Sequence, residues 1–368
     1  MRGFLAVFKK ELRQMVRDKG ALRFALALPV FQLVLFGLID TNVKHVPTVV
    51  FDQSRTAESR DLIRDFVNTS YFDVVKFAPS RQSLREEIVA GHASVGIEIP
   101  PDYARRRLAG ESAEFLVLID GSDSTVAGQT LAAANGLALN RSLQEIALRA
   151  GIREMPVRPF PQILFNPDSR SANLLIPGLI AILLTFSGTL LAAFSVVRER
   201  ERGTLEQLMV TPASPVAVTL AKLLPYLGLG FAQLLVVLPL MRYVFRVPIH
   251  GSVLLLLALS FVYLFALLSL GLLISSRSRT QMEAIQVAQG FLLPSIMLSG
   301  YIFPLSSLPG PLRALAQVLP ATHFIAISRG IIIRGAGFWD LWPNVAALFA
   351  VAALLVAGST RAFRKTAV

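Results

Sequence analysis

Six apolar runs constrain this chain more than any other feature: Phe24 to Ile39, Asn173 to Val197, Val216 to Met241, Ser252 to Ser275, Ala284 to Phe303 and Leu341 to Thr360. A bilayer core about 30 Å thick takes roughly 20 apolar residues as a helix, because every backbone polar group must be satisfied within the segment. The runs meet or approach that length, the first and last being shortest. They predict an α-helical polytopic membrane protein with six transmembrane helices. With 54% hydrophobic and 16% charged residues, the chain is too apolar for an ordinary soluble domain. The run after Arg23 lacks a small-residue cleavage site and is read as a retained anchor rather than a signal peptide.

Lys and Arg in short loops set orientation. Arg2, Lys9, Lys10, Arg13, Arg17, Lys19 and Arg23 precede the first run, Arg198, Arg200, Arg202 and Lys222 join the second to the third, Arg277 and Arg279 follow the fourth, and Arg361, Arg364 and Lys365 close the chain. With six spans all of these fall on one side, so both termini are expected in the cytoplasm of a bacterial inner-membrane protein. The formal charge of +12 is attributed to this anchoring and to a basic outer domain; no reading motif accompanies it, which argues against nucleic acid. The sequence has no cysteine, so no disulfide or thiolate metal site.

The expected organisation is a cytoplasmic interface helix (1–22), a first transmembrane helix (23–41), a small extracytoplasmic α/β domain (42–172), the other five spans (173–361) and a cytoplasmic tail (362–368). In the inserted domain, Val46 to Phe51, Phe72 to Phe77, Ser94 to Ile99 and Phe115 to Ile119 read as strands, separated by helical patterns at Ala57 to Val67, Ser80 to Ala90 and Tyr103 to Leu108. Ser124 to Ala150 reads as a long helix. In the first twenty residues, Phe4, Phe8, Leu12 and Met15 form an apolar stripe and Lys9, Lys10, Arg13 and Arg17 face elsewhere, which suits a helix lying in the interface or an inward extension of the first span.

With Lys222 counted as a basic anchor of the preceding loop, the apolar runs carry no ionisable group, and a proton- or sodium-coupled relay is not expected. Gln32 and Gln233 are placed to line a translocation path or to hydrogen-bond between helices. Energy must come from a partner, since no GxxxxGK(S/T) loop is present. His45, His92, His250 and His323 lack metal-ligand spacing, and neither a GxSxG elbow nor an HExxH helix occurs, so no catalytic constellation and no metal site are expected.

The most informative loop runs Arg198-Glu199-Arg200-Glu201-Arg202-Gly203-Thr204-Leu205-Glu206-Gln207-Leu208 and ends at Thr211-Pro212. Thr204 is placed to cap a short helix whose Leu205, Leu208 and Met209 share a face and which Pro212 stops. Physically this is either a docking element or a solvated loop.

Glu201 to Leu208, followed by Thr211-Pro212 and Ala221-Lys222-Leu223, resembles the signature of type-2 ABC transporter permeases. Ser299-Gly300-Tyr301-Ile302-Phe303-Pro304, then Leu319-Pro320-Ala321-Thr322-His323-Phe324, Arg329 and Gly335 extend the resemblance, which looks like the drug-export branch and covers essentially the whole chain. The resemblance implies two permease subunits, self-paired or paired with a close paralogue, above two ATP-binding subunits that hold ATP and Mg; this chain itself binds no cofactor and is not an enzyme. It implies an ATPase-coupling element at Glu199, Glu201, Arg202, Gly203, Thr204, Leu205, Glu206, Gln207 and Leu208 within a coupling loop, 198–215, and a re-entrant outer segment, 304–340, carrying Pro320, Thr322, His323 and Arg329. The expected function is export of a hydrophobic or amphipathic, drug-like or lipid-like substrate, with membrane lipids around the spans and a periplasmic adaptor and outer-membrane duct as further partners. The rival readings are a membrane-anchored sensor or scaffold with a ligand-binding outer domain, and a membrane enzyme.

Overall fold

The computed structural model describes residues 2–39, 44–150, 164–203 and 215–366. The chain divides into two compact units, one formed by Met1–Asp40 with Ile163–Val368 and one by Thr41–Gln162.

The second unit is α/β. Strands β1 (Val46–Asp52), β2 (Phe72–Phe77), β3 (Val95–Ile99) and β4 (Leu116–Ile119) form one sheet in the order β2-β1-β3-β4, with β1 parallel to β2 and β3, and β4 antiparallel to β3. Between them run α3 (Ala57–Asn68), α4 (Arg81–Val89) and α5 (Tyr103–Ala109). Thr56 and Ser59 close a capping box at the start of α3, and Ser80 caps α4, which is why those helices begin where they do. Every residue of β3 is buried, as a strand covered on both faces requires. Val50, Leu62, Phe66, Phe72, Ile97 and Ile99 fill one side of the sheet, and Val49, Leu84 and Ala93 fill the other. The long α6 (Ser124–Arg149) is capped by the Asp123 carboxylate and buries Ala134 in the larger core.

The first unit is helical. It begins with α1 (Arg2–Arg17) and α2 (Lys19–Gly37), continues with α7 (Ser171–Glu201), α8 (Pro215–Pro239) and α9 (Val253–Arg277), and ends with α10 (Gln281–Leu298), α11 (Gly310–Val318), α12 (Pro320–Arg334) and α13 (Trp342–Thr366). After Pro239, α8 widens into a π-helical turn at Leu240–Val244, a proline-linked irregularity.

Among the described residues, four helices are long and apolar enough to cross a membrane: Ser171–Glu201, Val216–Val244, Val253–Arg277 and Trp339–Ala362. These correspond to the second, third, fourth and sixth expected runs. The first run is a shorter apolar helix, Ala25–Gly37, because the chain leaves helix before Ile39. The fifth falls short because α10 opens with Gln281, Glu283, Gln286 and Gln289 and stops at Leu298, after which Gly300 turns the chain at φ +82°. The segment expected to be re-entrant contains α11 and α12, bent by 82° into either a broken span or a re-entrant loop. The protein is thus a mostly helical, polytopic membrane protein.

The central packing is α7 against α9. A Cβ on Gly271 would lie 2.4 Å from the Thr189 carbonyl oxygen and 2.7 Å from Ala192 Cβ, so only glycine permits this approach. The Tyr263 hydroxyl donates to the Ala181 carbonyl at 3.1 Å, and its ring stacks on Phe324 of α12 at 4.2 Å. Further along, Ser275 Oγ accepts from the Val196 and Val197 amides, both at 3.0 Å.

Candidate functional site

The alternating charges at the end of α7 are built into the fold, each reaching a different neighbour. Arg198 pairs with Asp18, at the break between α1 and α2, at 3.6 Å. Glu199 is bound by Lys10 of α1 and by Lys222 of α8, the latter at 2.9 Å. Arg200 donates to the Ser276 carbonyl at 3.2 Å and to that of Ser278, at the end of α9. Glu201 accepts from the Gln281 backbone amide at 2.7 Å and from its side chain, at the start of α10. Four consecutive side chains therefore tie α7 to α1, α8, α9 and α10, and to Asp18 between α1 and α2.

Helix α7 ends immediately afterwards. Arg202 is its C-cap and Gly203 adopts φ +67°, the left-handed conformation glycine supplies at helix ends. The remaining expected coupling residues, Thr204, Leu205, Glu206, Gln207 and Leu208, lie outside the described residues.

At the centre of this arrangement is Lys222, which corrects the expectation of spans free of ionisable groups. The third run, Val216 to Met241, contains Lys222, and the residue sits inside α8 with no solvent exposure. Its ammonium donates to Glu11 Oε1 at 2.9 Å and to the Ser195 carbonyl at 3.2 Å, and pairs with Glu199. Glu11 is 3% exposed. Lys10, half outside, lies 3.8 Å from Glu11 and bonds Glu199. Two carboxylates and two ammoniums thus close an electrically balanced cluster, the condition under which charges tolerate a low-dielectric interior. Lys222 fastens α1 to α7 and α8.

The cluster also revises the face of α1. Val7 and Glu11 are buried, whereas Leu12, assigned to the apolar stripe, is exposed; Phe4 stacks on Phe8 at 6.2 Å at the edge of the contact. Charge complementarity with Lys222, not apolarity alone, orients this helix. The clue was a lone carboxylate in a cationic helix matched by a lone ammonium in an apolar run.

The other expected site residues stand apart. Gln233 is 2% exposed, and its side-chain nitrogen has no hydrogen-bond partner among the described residues; Gln32 is half-buried on α2, and no hydrogen bond joins the two. In the bent segment, Pro320 is the first residue of α12, Thr322 donates to the Ala316 carbonyl at 2.6 Å, and His323 Nε2 lies 2.8 Å from the Gln317 carbonyl, which it can satisfy only as donor. Arg329 donates to the carbonyls of Gly300 and Tyr301 at 2.9 and 3.1 Å. These contacts hold the bend and join it to the turn after α10.

The helical membrane unit thus carries a charged hub at the end of α7, and the α/β unit is inserted after α2. The chain belongs to the family described as ABC-2 family transporter protein, which matches residues 19–361. It is a type-2 ABC transporter permease. It is 31% identical to the probable multidrug ABC transporter permease YbhS of Escherichia coli over 354 residues, 95% of this chain and 94% of the relative. The probable multidrug ABC transporter permease YbhR of the same organism is 28% identical over 98% of this chain and 97% of its own length. ABC transporter G family member 20 of Dictyostelium discoideum is 27% identical over 92% of this chain, which spans 47% of that protein. Membership implies an ATP-binding partner and a place in the membrane.

Proposed function

We propose that this chain is the transmembrane subunit of an exporter that moves a hydrophobic or amphipathic substrate, drug-like or lipid-like, out of the cytoplasm or inner leaflet. A separate ATPase subunit supplies the energy, and the chain itself binds no nucleotide. In this reading six helices span the bacterial inner membrane, both termini are cytoplasmic, the α/β unit is extracytoplasmic, and two permease copies form the pathway. The resemblance of two relatives named as multidrug permeases supports export of such cargo.

The observation that carries the reading is the hub. A force applied to the loop from Gly203 to Pro212 enters α7 at four side chains that grip α1, α8, α9 and α10. A rigid-body tilt driven by closure of two ATPase subunits would therefore reach these helices together rather than deform one of them. Pro177, Pro225 and Pro294, inside α7, α8 and α10, are the points at which the tilt can bend a helix.

Co-expression with the ATP-binding proteins encoded beside it, followed by purification in mild detergent, tests the assignment. A stoichiometric ATPase partner is expected. A stable chain that purifies alone from every such pairing would refute it.

A further inference from the structure

Two hollows of opposite chemistry meet at Asp18 and Arg198. One is an apolar cavity of about 140 Å³ among Leu22, Leu28, Phe186, Leu190, Phe194 and Leu229, from α2, α7 and α8. A dry cavity of comparable size, about 150 Å³, accepts a benzene-sized apolar group. The other is an open groove of about 530 Å³ lined by Lys10, Arg13, Arg17, Arg198 and Arg202, with Asp18 as its single carboxylate. Asp18 is paired with Arg198, and Lys10 is committed to Glu199. Among the described residues, Arg13, Arg17 and Arg202 have no ion-pair partner, and all three are exposed.

We propose that this double hollow binds one anionic phospholipid, with its phosphate in the groove against Arg13, Arg17 and Arg202 and a length of acyl chain in the cavity. A zwitterionic lipid carries no net charge for these guanidiniums, and a free phosphate leaves the apolar hollow empty. Bound there, the lipid bridges the N-terminal helix to the end of α7, beside the charged hub. The inference rests on the membrane reading above, where this end of the helices faces the cytoplasmic leaflet, but not on coupling to an ATPase.

Native mass spectrometry of the full chain in mild detergent tests it, with titrations of dioleoyl phosphatidylglycerol, dioleoyl phosphatidylcholine and deacylated glycerophosphoglycerol. Each cation near an anionic headgroup contributes a factor of about five in affinity. One tightly held phosphatidylglycerol is expected, preferred over phosphatidylcholine by about a hundred-fold for three guanidiniums. The Arg13→Gln/Arg17→Gln variant, altered at two exposed positions outside every ion pair described, should lose about 25-fold in that preference, and the deacylated headgroup should fail to compete. A phosphatidylglycerol with a photoreactive tail should cross-link within 186–194. Equal binding of the two lipids, an unchanged preference in the variant, displacement by the headgroup alone or cross-links confined elsewhere would each overturn the proposal. None of these readouts involves ATP, so a failed ATPase association and a failed lipid site are told apart.

Discussion

Replacing Lys222 by methionine is the sharpest perturbation of the charged hub. The volume is nearly kept, but Glu11 and Glu199, 3% exposed each, are left with Lys10 as their only cation in the cluster. Removing one partner of a buried ion pair costs about 3–5 kcal/mol, because an uncompensated charge remains in a poor dielectric. The full amount is expected here, since two carboxylates face one remaining ammonium. In Lys222→Met/Glu11→Leu the cluster shrinks to the Glu199–Lys10 pair, whose charges balance. Most of the loss should therefore return, with a coupling between the two sites of about 2–3 kcal/mol. Denaturant titrations in mixed micelles, followed by fluorescence, would give the four corners of the cycle; Trp339 and Trp342 report on the helical unit. Additive losses in the double variant, or a Lys222→Met protein as stable as the parent, would refute the claim that this ammonium balances two buried carboxylates.

Gly271→Leu should cost at least about 1–3 kcal/mol and lower the yield of folded protein, because its Cβ already meets the Thr189 carbonyl at 2.4 Å; thermal melts in detergent would check this. Arg329→Met should free the turn at Gly300 and Tyr301, and because the chain has no cysteine, a single cysteine at Ser299 should then react faster with a maleimide than it does in the Arg329 parent. In the α/β unit, hydrogen bonds from Lys76 and then His92 hold the Glu87 carboxyl below its ordinary value of 4.5. Its contribution is complete above that value and is lost as the pH falls through the lower folded value. Protection of α4 from hydrogen exchange, corrected for intrinsic rates, should accordingly weaken in acid below about pH 4.5 in the parent but not in Glu87→Gln.

Much of the fold was legible because its signals are local. The strand patterns at Val46 to Phe51, Phe72 to Phe77, Ser94 to Ile99 and Phe115 to Ile119 fall on β1 to β4 within a residue, since each run is dense in β-branched and aromatic residues between turn signals. The apolar runs found the long helices for a similar reason, and they overcounted where polarity is uneven: Glu283 and three glutamines dilute α10. The loop at 198–208 was recognised by its string of residues, but the destinations of its charges were not. Arg198, Glu199, Arg200 and Glu201 reach partners far away in the chain, and spacing says nothing about such contacts. Lys222 was hidden by its position near the start of a run, where a basic residue is ordinarily a topology signal. Its role depends on Glu11, more than two hundred residues earlier, so only the tertiary structure pairs them.

The most direct test of the account is the ATPase rate of the purified permease–ATPase complex with Glu201→Ala and Glu206→Ala introduced together. If the end of α7 and the loop after it transmit the nucleotide cycle, the complex should still assemble while its hydrolysis changes several-fold. A complex of the same composition hydrolysing ATP at the parent's rate would contradict the coupling role assigned to this segment.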